Sequence, residues 1–194
     1  MDSKNLKRIA IAAVLLVAGY MIVDRILFNG VRPVTVSEDG LVANYYSTNE
    51  SPNPAVILIG GGMWGEYWAS ELAMSGYPSL SLTYSGAEGL PELPEEIPLE
   101  YFEKAAKWLA RQPAVDPEHI VVMGASKNAE LALVIASYLY EDIHGCIAFA
   151  PSSVSWSNTV LPYNSDEIKP SWTYGNAPVP FIAMQKLQPG TTDN

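Results

Sequence analysis

Residues 120–140 read IVVMGASKNAELALVIASYLY, and the fold turns on how this stretch is parsed. Ile120–Gly124 is a short, continuous apolar run, the pattern of a strand buried on both faces. Residues 127–140 carry the spacing of a helix. Between them lies a sharp corner with Ser126 at its apex. The corner keeps the first glycine, Gly124, and the serine of the G-x-S-x-G nucleophile elbow, with Asn128 where the pattern ends in glycine. An elbow holds its serine in a strained backbone conformation, so that the hydroxyl stands out at the sheet edge. Strand and helix crowd together there and need small residues. Gly124 meets that need, and Asn128 puts it in question.

Working outward, residues 41–46, 55–59, 79–84 and 146–150 read as further strands, and residues near 66–75 and 99–112 as helices. In the second helix Leu99, Phe102, Ala106 and Leu109 recur at three and four residues and share one face. Residues 29–40 form a linker or first strand, Asp-Pro-Glu-His at 116–119 is a turn, and residues 85–98 are a loop rich in turn residues and acids. Alternating strands and helices predict an α/β domain over residues 29–194, with a mostly parallel sheet covered by helices on both faces. Sites in such sheets form at the carboxyl ends of the strands.

The amino terminus differs. MDSKNLKR precedes the uncharged, mostly apolar run Ile9–Val23, followed by Asp24 and Arg25. Residues 1–28 are expected to be a signal anchor or transmembrane helix, with a cleaved signal (after Gly19) or a buried helix as alternatives. Lys4, Lys7 and Arg8 before the run place the amino terminus in the cytoplasm and the domain outside it. The net charge of −10 leaves no basic patch for phosphates and argues against nucleic-acid binding. With one cysteine, Cys146, and two histidines, no metal-ligand spacing occurs and no cofactor is expected. Cys146 sits in an apolar run and reads as a small buried hydrophobe.

Gly60-Gly61-Gly62-Met63-Trp64-Gly65 is the second glycine turn. Gly60, Gly62 and Gly65 satisfy G-x-G-x-x-G after a strand. A dinucleotide site also wants an acid at the end of the next strand. That strand ends Thr83-Tyr84-Ser85, and the nearest acid, Glu88, lies beyond Gly86. Met63 and Trp64 would also crowd the phosphates. A second reading makes the stretch an oxyanion loop whose backbone N–H groups face a tetrahedral intermediate. A third makes it a glycine turn that only permits tight packing.

Four collinear stretches, AVILIGGGMWG (55–65), the run 82–120, VVMGASKNAELAL (121–133) and APSSVSW (150–156), resemble the carboxy-terminal catalytic domain shared by acyl-CoA thioester hydrolases and bile acid-CoA:amino acid N-acyltransferase. The match covers roughly residues 31–184. S-K-x-A-E after the corner, I-P-L-E-Y-F at 97–102 and P-S-S-V-x-W at 151–156 are its specific marks. The resemblance implies an α/β-hydrolase fold with Ser126 as nucleophile and backbone donors from Lys127 and the Gly61–Gly62 loop. It implies an acyl ester or thioester as substrate. It also implies an acid and a histidine later in the chain than Asn194, so the last strands of the fold are expected to be missing.

Neither histidine present suits Ser126. His119 and His144 each precede a strand and fall at the amino edge of the sheet, whereas Ser126 follows one. Lys127 follows the serine and points elsewhere on the helix, and Glu130 lies one turn along, placed to order the elbow; neither faces the serine as a dyad partner. Asp166 and Glu167 lie in an irregular segment read as a solvated loop. With the strands that follow residue 150 missing, Cys146–Ala150 is an uncharged sheet edge, expected to be covered by residues 155–174 or by a partner, unless the sequence is a fragment. Two functions follow: a serine hydrolase of the acyl-CoA thioesterase type, or a membrane-anchored, non-catalytic protein with a degenerate hydrolase fold.

Overall fold

The computed structural model of the chain describes residues 3–28, 31–48, 50–158 and 168–183. Its centre is a sheet built from β1 (Val34–Val36), β2 (Val42–Tyr46), β3 (Asn53–Ile59), β4 (Ser79–Thr83), β6 (Val115–Ala125) and β7 (Gly145–Phe149), in the order β1-β2-β4-β3-β6-β7. β4, β3, β6 and β7 run parallel, and β1 and β2 close the other side antiparallel. A small second sheet joins β5 (Ile97–Pro98), β8 (Trp172–Tyr174) and β9 (Ala177–Pro178).

The period-two pleat of β3 sorts its side chains between two cores. Ala55, Ile57 and Ile59 enter one core, and Val56 and Leu58 the other, all 6% exposed or less. The larger core lies under α3 (Glu100–Ala110) and α4 (Lys127–Tyr138). Here Phe102, Ala105, Ala106 and Leu109 of α3 meet Leu131, Ala132 and Ile135 of α4, with Leu80, Leu82, Ile120 and Val122 of the sheet. The smaller core lies under α2 (Gly62–Met74), where Ala69 and Ala73 pack on Val56, Leu58, Tyr46 and Met123. Each buried Leu, Ile or Phe contributes about 1.5–3 kcal/mol. This is the expected α/β architecture, a mostly parallel sheet with helices on both faces.

Two elements differ from the sequence reading. α2 begins at Gly62, four residues before the expected start, and so takes in most of the glycine turn. The absence of a side chain at Gly65 permits it, since a Cβ there would stand 2.7 Å from Ser81 Oγ. The Gly65 N–H donates to Gly61 O at 3.2 Å and closes the first turn. Residues 116–119 belong to β6 as a bulge: the pairing steps from Asn53↔Val115 to Ala55↔Ile120. Inside the bulge the Glu118 N–H donates to Asp116 Oδ1, so the turn chemistry read from Asp-Pro is local to a strand.

The amino terminus forms a single helix, α1 (Ser3–Phe28). Its described apolar side chains are exposed all along the run, from Ile9 at 57% to Leu16 at 75% and Met21 at 64%. The Arg32 guanidinium sits 5.5 Å from the centre of the Tyr20 ring. Among the described residues no helix is long and apolar enough to cross a membrane. The expected transmembrane helix therefore finds no support here, since the uncharged run Ile9–Val23 is shorter than the roughly 20 residues a span takes.

β7 ends the central sheet, with Ile147 41% and Phe149 49% exposed. The described parts of residues 155–174 go elsewhere. They pair with β5 through β8 and pack over the start of α4, rather than covering this edge.

Candidate active site

Ser126 is the one residue between the end of β6 and the start of α4. Its backbone sits at φ 55°, ψ −121°, a region that costs a non-glycine residue on the order of 1–3 kcal/mol. Crowding imposes this bend. A Cβ on Gly124 would stand 2.1 Å from the carbonyl oxygen of Asn128 and 2.9 Å from the Ala129 nitrogen, so the first turn of α4 lies directly on the strand. Three hydrogen bonds hold the bend. The Ser126 N–H donates to Phe149 O at 2.9 Å, and the Ser126 carbonyl accepts from the N–H groups of Ala129 at 3.0 Å and Glu130 at 3.1 Å. The residue is exposed at the carboxyl edge of the sheet, as an elbow requires.

The glycine turn lies beside this elbow. Gly60, Gly61 and Gly62 have φ of 107°, 59° and 63°, values that only glycine adopts at little cost. Gly61 has a packing reason as well, since a Cβ there would stand 2.1 Å from Thr83 Oγ1. The Gly60 N–H donates to Leu82 O at 2.9 Å and is used up in the fold. Gly61 and Gly62 follow at the start of α2, where the first N–H groups of a helix lack partners within it. The N–H of Lys127 opens α4, where the first N–H groups of a helix lack partners within it. Contact between the two turns runs through Asn128. Its carboxamide nitrogen would lie 2.2 Å from a Cβ on Gly60, and its Oδ1 accepts from the Tyr84 hydroxyl at 2.7 Å. The larger residue at the last position of the elbow is accommodated because its side chain leaves the strand–helix contact and lies on a glycine.

Lys127 and Glu130 turn away from Ser126 and form a clasp. Lys127 Nζ donates to Glu130 Oε1 at 2.7 Å and to Trp156 O at 3.1 Å. Glu130 Oε1 also accepts from the Trp156 N–H at 3.1 Å. The ammonium lies 5.3 Å from the centre of the Trp172 ring. Glu130 is only 3% exposed, and a buried carboxylate is tolerated because a cation and N–H donors face it. Trp156 in turn receives the Ser171 hydroxyl on its carbonyl at 2.9 Å, and its indole N–H donates to Ser152 Oγ at 2.8 Å. The clasp thus pins residues 152–156 and 171–172 onto the first turn of α4. Tyr84 touches the same cluster: its ring packs edge-on against Phe102 and Trp172. Burial, with the Glu130 charge as a second cause, pushes its hydroxyl up to about 12.

Both histidines stand where the sequence puts them. His119 pairs with Asp116 Oδ2 at 2.8 Å on the surface, which holds the Asp116 carboxyl below its ordinary range. His144 accepts the Ile120 N–H at 3.3 Å at the opening of the parallel stretch of β6. Ser126 lies six residue steps beyond Ile120, about 20 Å at roughly 3.3 Å per residue. Cys146 is half-buried, and burial raises its thiol. Asp166 and Glu167 lie outside the described residues. Among the described residues no group of His, Cys, Asp or Glu could hold a metal ion.

Tyr84, Trp156 and Trp172 were not read from the sequence as part of this site. Tyr84 was within reach of the rule that placed the histidines, since it follows β4 at the carboxyl edge. The two tryptophans come to the elbow by long-range packing, which no local periodicity reports.

Residues 97–186 match the family described as BAAT / Acyl-CoA thioester hydrolase C terminal. Acyl-coenzyme A amino acid N-acyltransferase 2 of Mus musculus is 38% identical over 130 residues, which cover 65% of this chain and 30% of that protein. Acyl-coenzyme A thioesterase 1 of Mus musculus is 34% identical over 142 residues, 69% of this chain and 34% of that protein. Acyl-coenzyme A thioesterase 6 of Homo sapiens is 32% identical over 133 residues, 65% of this chain and 32% of that protein. The chain thus spans about a third of the length of these relatives. Among solved structures, a bacterial heroin esterase aligns with a TM-score of 0.52 and 18% identity, covering 73% of this chain and 50% of that one. A Pyrobaculum calidifontis esterase aligns at 0.50 and 22%, covering 78% and 53%. These two show the fold, that of the α/β-hydrolases.

Removing one half of the clasp leaves the other buried and unpaired. Lys127→Met is expected to lower stability in urea by about 3 kcal/mol, the range for a broken buried pair. The double variant Lys127→Met/Glu130→Gln should lose less than the sum of the single variants; additive losses would mean the two side chains do not act as a pair.

Proposed function

We propose, from the match of residues 97–186 to the BAAT / acyl-CoA thioester hydrolase C-terminal family, that this chain is an acyl-transfer domain in which Ser126 takes the acyl group from a small-molecule thioester or ester. The observation that carries the reading is the elbow: an exposed serine at positive φ between β6 and α4, beside a glycine turn that opens α2. In the reaction Ser126 Oγ attacks the carbonyl carbon and its proton passes to a base. The carbonyl oxygen becomes an oxyanion facing the N–H groups of Lys127 and of Gly61 or Gly62. Collapse breaks the bond to sulfur or oxygen and leaves an acyl-serine, which water or an amine then cleaves. One missing oxyanion donor costs about a hundredfold or more in rate where this has been measured.

His119 and His144 are not the base, because they occupy the opposite edge of the sheet. The base that accepts the Ser126 proton therefore comes from outside the described residues. Gly124 keeps the bend possible, and Glu130 with the Lys127 side chain holds the first turn of α4 so that the Lys127 N–H keeps its direction.

A second reading, a membrane-anchored, non-catalytic protein on the same fold, draws on α1. A helix exposing apolar side chains over its whole run calls for an apolar environment. We propose that residues 9–28 meet a membrane surface in either case, the apolar side chains against the lipid. Loss of membrane sedimentation on deletion of residues 1–28 is the expected result. Retention would remove the anchor.

A fluorophosphonate probe separates the two readings. Labelling of the wild type and none of Ser126→Ala is expected for the acyl-transfer domain. A folded wild type that stays unlabelled would leave the non-catalytic reading.

A further inference from the structure

The structure assigns Asn128 and Tyr84 a role that the G-x-S-x-G pattern does not contain: we propose that they form a strut that sets the spacing between the two halves of the oxyanion site. The inference rests on the acyl-transfer reading of Ser126. One half of the site is the Gly61–Gly62 segment that follows β3 and opens α2. The other is the Lys127 N–H at the start of α4. These halves belong to different strand–helix units, whose strands pair as far as Leu58↔Met123; beyond that pairing the two turns are on their own.

Asn128 lies between them. Its backbone carbonyl presses on Gly124, which fixes its place relative to the elbow. Its side chain points to the glycine turn, where the carboxamide nitrogen lies so close to Gly60 that a Cβ would be 2.2 Å away. Gly60 is itself anchored to β4 by its N–H on Leu82 O. The carboxamide is held at its far side by the Tyr84 hydroxyl, 2.7 Å from Oδ1. Tyr84 follows β4, is 7% exposed, and is gripped edge-on by Phe102 and Trp172. The path Tyr84–Asn128–Gly60 is thus a rigid bridge across the carboxyl ends of β4, β3 and β6. A glycine at position 128 has no side chain to make it. Asn128 is therefore a positioning residue here, and replacing it by the residue of the usual pattern should harm the site.

The test compares wild type, Asn128→Gly, Tyr84→Phe and the double variant by two measurements. The first is the rate of fluorophosphonate labelling at Ser126. Each single variant is expected to slow it roughly three- to tenfold, the effect of one neutral hydrogen bond on a barrier. The double variant should be no slower than the worse single one, because both changes cut the same bridge. The second is amide hydrogen exchange, in which the Gly60 amide, bonded to Leu82 O, should exchange faster in Tyr84→Phe while the amides of β3 keep their protection. Tyr84→Phe changes one atom and keeps the ring packing, so it serves if Asn128→Gly folds poorly. Faster labelling of Asn128→Gly, multiplicative losses in the double variant, or unchanged exchange at Gly60 would each overturn the strut. A folded wild type that takes no label would instead overturn the acyl-transfer reading on which it rests.

Discussion

The contact on which the rest depends is the one between Gly124 and the carbonyl of Asn128. A strand and the helix that follows it meet there with no side chain between them. Once the backbones are that close, the chain has a single residue in which to reverse direction, and Ser126 takes the strained conformation as a result. The strain of order 1–3 kcal/mol is offset by cores that bury α3 and α4 on one face of the sheet and α2 on the other. The serine is presented because the sheet and helices are held, and the site inherits its rigidity from them.

Around this point the carboxyl edge is assembled from four parts of the chain. β3 delivers the glycine turn, β4 delivers Tyr84, β6 delivers the elbow, and the chain after β7 returns with Trp156 and Trp172 onto α4. The Lys127–Glu130 pair meets this returning chain. Two of the specific sequence marks, S-K-x-A-E and P-S-S-V-x-W, are thereby explained by one contact, since Lys127 and Glu130 grip the backbone of Trp156. The marks are separate in sequence and single in space.

Much of this was legible beforehand. The continuous apolar runs at 55–59 and 120–124 named the central strands, because only strands covered on both faces lack polar alternation. The order of strands and helices placed Ser126 at the carboxyl edge of the sheet and both histidines at the other, as the structure has them. Other features escaped, for physical reasons. The start of α2 inside the glycine turn depends on Gly65 approaching Ser81, a contact between residues sixteen apart that composition does not report. Asn128 read as a misfit because size is visible in a sequence and side-chain direction is not. The apolar run at 9–23 promised a membrane span. The structure instead shows a helix with its apolar side chains exposed, among described residues that hold no helix long and apolar enough to cross a membrane.

The most direct test of the account is to incubate the protein with an acyl thioester, quench in acid, and weigh the peptide that contains residue 126. The account predicts the mass of the acyl group on Ser126, absent in the Ser126→Ala protein. A folded protein whose acyl group sits on Cys146 or another residue, or that takes none, would contradict it.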